Sequence, residues 1–383
     1  MKIAFFMSEY PSAGKVNSKG GLASYTANLS EALKSTGHES RVITRADLKC
    51  ERPLRRLRSA LEKRVFPEVN FERSVSAGLR SEITRMVSEK RIDIIQVPEY
   101  NGGASELKGI NCPLVVRFHT PSFLVDRLNG VASTFRRKRW YALEGEGIAA
   151  ANALTSSSEG LKREVCRFYG VDENRVTVIR NPVDTVTFTP MHKEHSRFRI
   201  LFCGRLEERK GMSIIEKALP EILKKTADSE ILFAGGDTGR NGLPYKELLS
   251  EIAGKERERL LFKGYVERAE LPALYNSADV FIIPSLFDNS PNSLFEAMAC
   301  GLPCIGSRVG GIDEIISDGS NGLLFNTERT DELTDRICEL YNNYQLRQTL
   351  GISARNHMEE SYSMKYAAEA HISFYKKVCK GEL

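Results

Sequence analysis

Asp288 and Glu296 bracket a run, Asn289-Ser-Pro-Asn-Ser-Leu-Phe295, whose residue types suit a ligand that is both phosphorylated and hydroxylated. A helix is expected from about Pro291 to Cys300. Ser290 is a good N-cap, Pro291 suits the first helical position, and Gly301 followed by Pro303 closes it. The first turn of such a helix leaves the N–H groups of Asn292, Ser293 and Leu294 without acceptors inside the helix, and the helix dipole adds partial positive charge. Such a helix end attracts a phosphate. Glu296 lies three and four residues beyond Ser293 and Asn292, so its carboxylate shares their face and can reach past a phosphate to a ribose diol. Asp288, on the loop with Asn289 and Ser290, offers an acceptor to a second hydroxylated ring. A sugar, a diphosphate and a ribose together make a nucleotide-sugar.

Arg205 and Lys210, in Gly204-Arg-Leu-Glu-Glu-Arg-Lys-Gly211, supply the opposite charge. Two cations between a strand end and a helix start suit a diphosphate leaving group, Arg205 as a planar fork and Lys210 as a point charge. Gly20 and Gly21, between the first strand and a helix, permit close backbone approach to an anion. His119 ends the strand Pro113 to Phe118, at the edge where open parallel sheets bind ligands. No Asp-x-Asp occurs in the chain, and His192 and His195 have no Cys or carboxylate cluster nearby, so neither a metal nor any other cofactor is expected.

These residues need a scaffold of alternating strands and helices. Short apolar runs such as Lys2 to Met7, Ile92 to Val97, Phe198 to Cys203 and Val280 to Ile283 read as strands buried on both faces of a parallel sheet. Helical patterns lie between them, for example Leu22 to Thr36, Phe71 to Lys90, Glu159 to Tyr169 and Lys365 to Lys377. Polar residues Thr185 to Arg197 read as a linker between two domains. Gly235-Gly236-Asp237-Thr238-Gly239 lacks the full spacing of a dinucleotide fingerprint, so a nicotinamide dehydrogenase is disfavoured.

The motifs taken together resemble glycosyltransferase family 4, retaining enzymes of the GT-B fold. The family's acidic motif sets two glutamates seven residues apart before Ala-Met-Ala-x-Gly-x-Pro. This chain has Asp288, then Glu296-Ala-Met-Ala-Cys-Gly-Leu-Pro303, with Asp for the first Glu and Pro291 for a common glycine. Gly20-Gly21, His119, Arg205 with Lys210, and Gly310-Gly311 match at corresponding places, and Asn181-Pro-Val-Asp184 resembles Asn-Gly-Val-Asp. The resemblance implies α/β architecture, two Rossmann-like doubly wound domains facing across a cleft. Residues 1–185 would bind the acceptor, residues 186–364 the donor, and helix 365–383 would cross back to the first domain. It further implies transfer of a sugar from a nucleoside diphosphate sugar to a hydroxyl, with His119 over the donor sugar and Val266 in a base-binding loop. The donor phosphate would take the acceptor proton on the same face, and Arg205 and Lys210 would stand in for a metal.

Composition bounds the setting. The chain has 383 residues, enough for two domains, and 27% charged residues, as in soluble globular proteins. No apolar run reaches a membrane span, and eight scattered cysteines lack a Cys-x-x-Cys pair, so a reduced cytoplasmic location is expected. Residues 1–185 hold 30 Lys and Arg against 21 Asp and Glu, while the remainder holds 25 against 29. The basic half would attract an anionic membrane surface, a lipid-linked acceptor or an acidic glycan. Residues 51–66, with Arg55, Arg56 and Arg58, form a basic amphipathic pattern, and Arg136 and Arg137 form a second basic patch. Peripheral binding at the inner membrane face and plain solvation fit these equally. Nucleic acid is disfavoured, because aromatics do not interleave the charges. Cell-surface polysaccharide or glycolipid synthesis is a common setting for the family. Two alternatives remain: an epimerase or hydrolase for nucleotide-sugars, and a non-catalytic binding protein of the same fold.

Overall fold

A computed structural model describes residues 1–7, 21–49, 65–191 and 197–382. They form two compact units, Met1–Pro182 with Lys365–Leu383, and Val183–Met364. Each unit is built on one six-stranded sheet in which every neighbouring pair is parallel.

In the first unit the strands are β1 (Lys2–Met7), β2 (Glu39–Thr44), β3 (Ile94–Pro98), β4 (Leu114–Phe118), β5 (Ala153–Ser156) and β6 (Val176–Val178). Their order is β2-β1-β3-β4-β5-β6. Every residue of β3, β4 and β5 is buried, which is why these strands read as unbroken apolar runs rather than alternating ones. The order reverses between β1 and β3, and a ligand crevice in such a sheet lies beyond the carboxyl ends of the strands at that reversal.

The second unit has β7 (Phe198–Cys203), β8 (Ser229–Ala234), β9 (Leu260–Gly264), β10 (Val280–Ile283), β11 (Cys304–Ser307) and β12 (Leu323–Phe325) in the order β12-β11-β10-β7-β8-β9. Here the reversal falls between β7 and β10. Successive strand side chains point to opposite faces, so Leu201, Leu232 and Phe281 meet Phe295 and Met298 on one face, while Ile200, Ile231 and Ile282 meet Ile215 and Leu219 on the other.

The helix expected from Pro291 to Cys300 runs Asn292–Ala299. Pro291 is extended (φ −72°, ψ 112°) and takes the cap position expected for Ser290. The Pro291 carbonyl accepts from Leu294 N at 3.0 Å and from Phe295 N at 3.3 Å, so the N–H of Leu294 is already used. The helix expected after Gly211 runs Met212–Lys225, whereas strand β2 and the helices Ser122–Leu128, Tyr245–Ala253 and Tyr344–Ser361 are additional to those read from the sequence. The helix Met212–Lys225 carries Pro220 inside it, a local signal against helix that its buried face overrides.

The last helix, Met364–Lys380, joins the first unit through a buried hydrogen-bond chain. Tyr375 donates to Gln96 Oε1 at 2.8 Å, and Gln96 Nε2 donates to the Tyr25 hydroxyl at 3.0 Å. His371 Nδ1 lies 2.7 Å from the carbonyl of Ala367, which can only accept, so the proton sits on Nδ1 and Nε2 accepts from Tyr25 at 3.1 Å. Burial and the nearby Arg117 hold His371 down to about 3, so the ring stays neutral. Gln96→Leu should strand the hydroxyl of Tyr375, while that of Tyr25 keeps its bond to His371, and cost about 1–3 kcal/mol in a urea unfolding titration. An unchanged midpoint and slope would show that the chain contributes nothing to stability.

Candidate functional site

The second unit places its chemistry on loops at the carboxyl ends of β7, β8, β10 and β11, around the β7/β10 reversal. Glycines fasten these loops together. Gly211 has φ +82°, and a Cβ there would lie 1.8 Å from the carbonyl oxygen of Pro284; Leu286 N donates to Arg209 O at 2.9 Å beside it. The loop after β7 is thereby drawn onto the loop after β10. A Cβ on Gly311 would lie 1.6 Å from Asn289 O, and Gly311 N donates to Asp288 O at 2.8 Å, so Gly310-Gly311 seats the loop after β11 on the same segment. Gly235, at φ +141°, packs against Gly204 O; the glycines that superficially suggested a dinucleotide site serve the packing of Gly204 to Leu206.

This fastening brings Lys210 onto Asp288. The Lys210 ammonium touches the Asp288 carboxylate, and the two side chains are 18% and 13% exposed. Lys210 is thus ion-paired, where the sequence suggested a cation open to a diphosphate. Arg205 is 63% exposed, with Nη2 3.4 Å from Glu207 Oε1, and the same oxygen receives Arg209 Nη2 at 2.7 Å.

Glu296 is also more enclosed than its helix position implied. It is 7% exposed; the Tyr275 hydroxyl donates to Oε2 at 2.8 Å and Arg268 Nη1 lies 3.8 Å from Oε1. Burial pushes its carboxyl up to about 7, against the opposing pull of Tyr275 and Arg268. Asn292 and Ser293 are half-buried at the helix start, whereas Asn289 is buried and Leu294 is a core side chain. Ser290 is half-buried. Val266 is half-buried and packs partly against the core.

In the first unit His119 follows β4 and is half-buried. Its backbone N–H donates to both oxygens of Glu99 at 2.9 Å, and its ring meets the edge of Tyr25 with centroids 5.2 Å apart. The fully buried Arg117 guanidinium lies 4.7 Å over the Tyr25 ring. Burial and Arg117 hold the His119 imidazole well below its ordinary pKa, leaving a neutral ring. Glu99 is pushed up to about 8 by burial, with the charge of Glu144 adding to it, and Glu144 is pushed up to about 7 by burial.

Gly21 starts the helix Gly21–Ser35, whereas Gly20, Arg55, Arg56, Arg58, His192 and His195 lie outside the described residues. Arg136 is exposed, but Arg137 forks onto Asp126 and stands over the Tyr141 ring, so an internal carboxylate occupies one of the two cations assigned to a surface patch. Among the described residues no group of three or more His, Cys, Asp or Glu is placed to hold a metal, and no helix is long and apolar enough to cross a membrane. Sequence reasoning missed Tyr275, Arg268, Glu99 and Tyr25. Tyr25 alone carried a signal, falling one helical turn beyond the Gly20-Gly21 pair on the face of Leu29.

The family model described as Glycosyltransferase Family 4 matches residues 19–187, and that described as Glycosyl transferases group 1 matches residues 197–343. An uncharacterized glycosyltransferase of Methanocaldococcus jannaschii is 29% identical over 98% of each chain. Sucrose-phosphate synthase from Thermosynechococcus elongatus superposes with a TM-score of 0.76 at 18% identity, covering 98% of both chains. Anabaena HepE in complex with UDP superposes with a TM-score of 0.70 at 17% identity, covering 98% of this chain and 100% of that one. The two parallel sheets with their helices are therefore those of the GT-B fold.

Glu99, Glu144 and Glu296, buried carboxyls pushed up to about 8, 7 and 7, give stability a defined pH dependence. Each binds its proton more tightly in the folded chain, so its contribution is full below the unfolded carboxylate range and is lost as pH rises through the folded value. Glu99 titrates last, near 8, and the buried histidines act only on the acid side. The melting temperature should fall between about pH 6.5 and 9. Glu99→Gln should flatten that slope; a slope equal to wild type would show that Glu99 is ionised throughout.

Proposed function

The chain belongs to the glycosyltransferases of family 4 and group 1, and from that premise we propose that it transfers a sugar, with retention, from a nucleoside diphosphate donor to a hydroxylated acceptor. The observation that carries the reading is the meeting of Lys210, Asp288, the start of the helix Asn292–Ala299 and Glu296 around the β7/β10 reversal. Lys210 and Arg205 stabilise the negative charge that develops on the departing diphosphate, and the N–H groups at Asn292 and Ser293 add fixed dipoles aimed the same way. Preorganised donors of this kind are typically the largest catalytic contribution, so no side-chain nucleophile and no metal is required. The donor phosphate accepts the acceptor proton on the face it leaves. Glu296 accepts hydrogen bonds from the ribose diol, and His119, a neutral imidazole on the first unit, offers an acceptor to a sugar hydroxyl.

UDP bound to the structurally similar Anabaena HepE supports a uridine nucleotide as the first donor to test. The acceptor is assigned by charge: the basic excess of residues 1–185 favours a lipid-linked or acidic glycan acceptor at an anionic membrane surface, as in cell-surface polysaccharide assembly. A second reading, a nucleotide-sugar-binding protein without transfer, draws on the ion pair that occupies Lys210. Product analysis across an acceptor panel separates the two.

Thermal shift against UDP-, GDP- and ADP-sugars should single out one donor by a raised melting temperature. With that donor, Lys210→Ala should lower turnover about 100-fold or more. Full turnover by the Lys210→Ala protein would refute the leaving-group role. Donor KM should also rise as pH falls below about 7, where Glu296 takes up a proton and loses acceptor capacity.

A further inference from the structure

The Lys210–Asp288 pair is held on both sides by backbone. On the Lys210 side, Gly211 lies against Pro284 O and Leu286 N donates to Arg209 O at 2.9 Å. On the Asp288 side, Gly311 N donates to Asp288 O at 2.8 Å, and a Cβ on Gly310 would lie 2.5 Å from that same oxygen. Neither residue can withdraw far by a loop movement of its own. The pair is also mostly shielded from water, with side chains 18% and 13% exposed, so mobile ions screen it less than a surface pair. Arg205, at 63% exposure, stands in solvent with only a 3.4 Å contact to Glu207.

A diphosphate approaching these two cations therefore meets one that stands mostly in solvent and one whose charge is already balanced. The anion gains full attraction to Lys210 only by separating it from Asp288. On the reading given above for Lys210, we propose that Asp288 is the resident counter-ion of Lys210, a positioning residue that the diphosphate must displace and that thereby sets how tightly the nucleotide is held. The consequence bears on turnover. A nucleoside diphosphate product, left without its sugar, competes with Asp288 for Lys210 and is expelled as the pair re-forms. The carboxylate speeds product release and lowers the affinity of the bare nucleotide.

The test is isothermal calorimetry of UDP, GDP and ADP binding at one ionic strength to the full-length wild type and to Asp288→Asn, Asp288→Ala, Asp288→Glu and Lys210→Ala. Two neutral variants are included so that one that fails to fold, as judged by its melt, leaves the other. The expected result is about fivefold tighter binding of the preferred nucleoside diphosphate by Asp288→Asn or Asp288→Ala, the order of one partly exposed ion pair. Asp288→Glu should stay within about twofold of wild type, because it keeps the charge. Combining Asp288→Asn with Lys210→Ala should abolish the gain, since no cation remains to be released. If Asp288 is only a sugar contact, the neutral variants will bind the bare nucleotide as wild type does and lose affinity only for the nucleotide-sugar; that outcome overturns the proposal and leaves the functional reading standing. If wild type binds none of the three nucleotides, the functional reading fails and this one fails with it.

Discussion

Backbone contacts too close for a side chain hold the second unit's chemistry together. At Gly211, Gly235 and Gly311 a Cβ would lie within 2 Å of a carbonyl oxygen on another loop. Each of those oxygens belongs to a segment at the carboxyl end of a neighbouring strand. The loops after β7, β8, β10 and β11 thus form one layer, and its spacing is fixed by main chain rather than by side-chain packing. A methyl group at any of these places would have to push two strand-end loops apart. Lys210, Asp288 and the start of the helix Asn292–Ala299 all ride on that layer.

Charge is distributed over it unevenly. Lys210 is matched by Asp288 and Arg209 by Glu207, while Arg205 extends largely into solvent. A fully ionised, unpaired cation in a shielded position would carry a desolvation cost, and an internal carboxylate lowers that cost until a ligand anion arrives. Glu296 solves the opposite problem. Burial pushes its carboxyl up, and the Tyr275 hydroxyl and Arg268 at 3.8 Å oppose that push by supporting its charge.

In the first unit the functional candidate is fixed from behind. His119 is anchored through its backbone by Glu99 and flanked by the Tyr25 ring, while the Tyr25 hydroxyl belongs to the chain that ends on His371 and Tyr375 of the last helix. A side chain at a strand end is ordinarily free to change rotamer. Here the aromatic edge restricts that freedom, and burial with the charge of Arg117 keeps the imidazole neutral.

Local chemistry in the sequence was enough to read the parallel sheets, most of the helices and the residues worth watching. Short apolar runs bounded by turn residues fit strands covered on both faces, and Gly-Gly, Gly-Arg-Leu and Glu-Ala-Met-Ala carry their meaning within a few residues. The one-residue shift of the helix start at Pro291 marks the limit of such reasoning, since either Ser290 or Pro291 could take the cap. The partners of those residues were beyond reach. Lys210 and Asp288 are 78 positions apart, Tyr275 and Glu296 are 21 apart, and Tyr25 and His371 are 346 apart. Which strand lies beside which, and how closely the loops approach, decides those pairings. Parallel order brings the ends of β7 and β10 side by side although β8 and β9 intervene in the chain, and only that neighbourhood turns an open cation into a paired one and an exposed acid into a buried one.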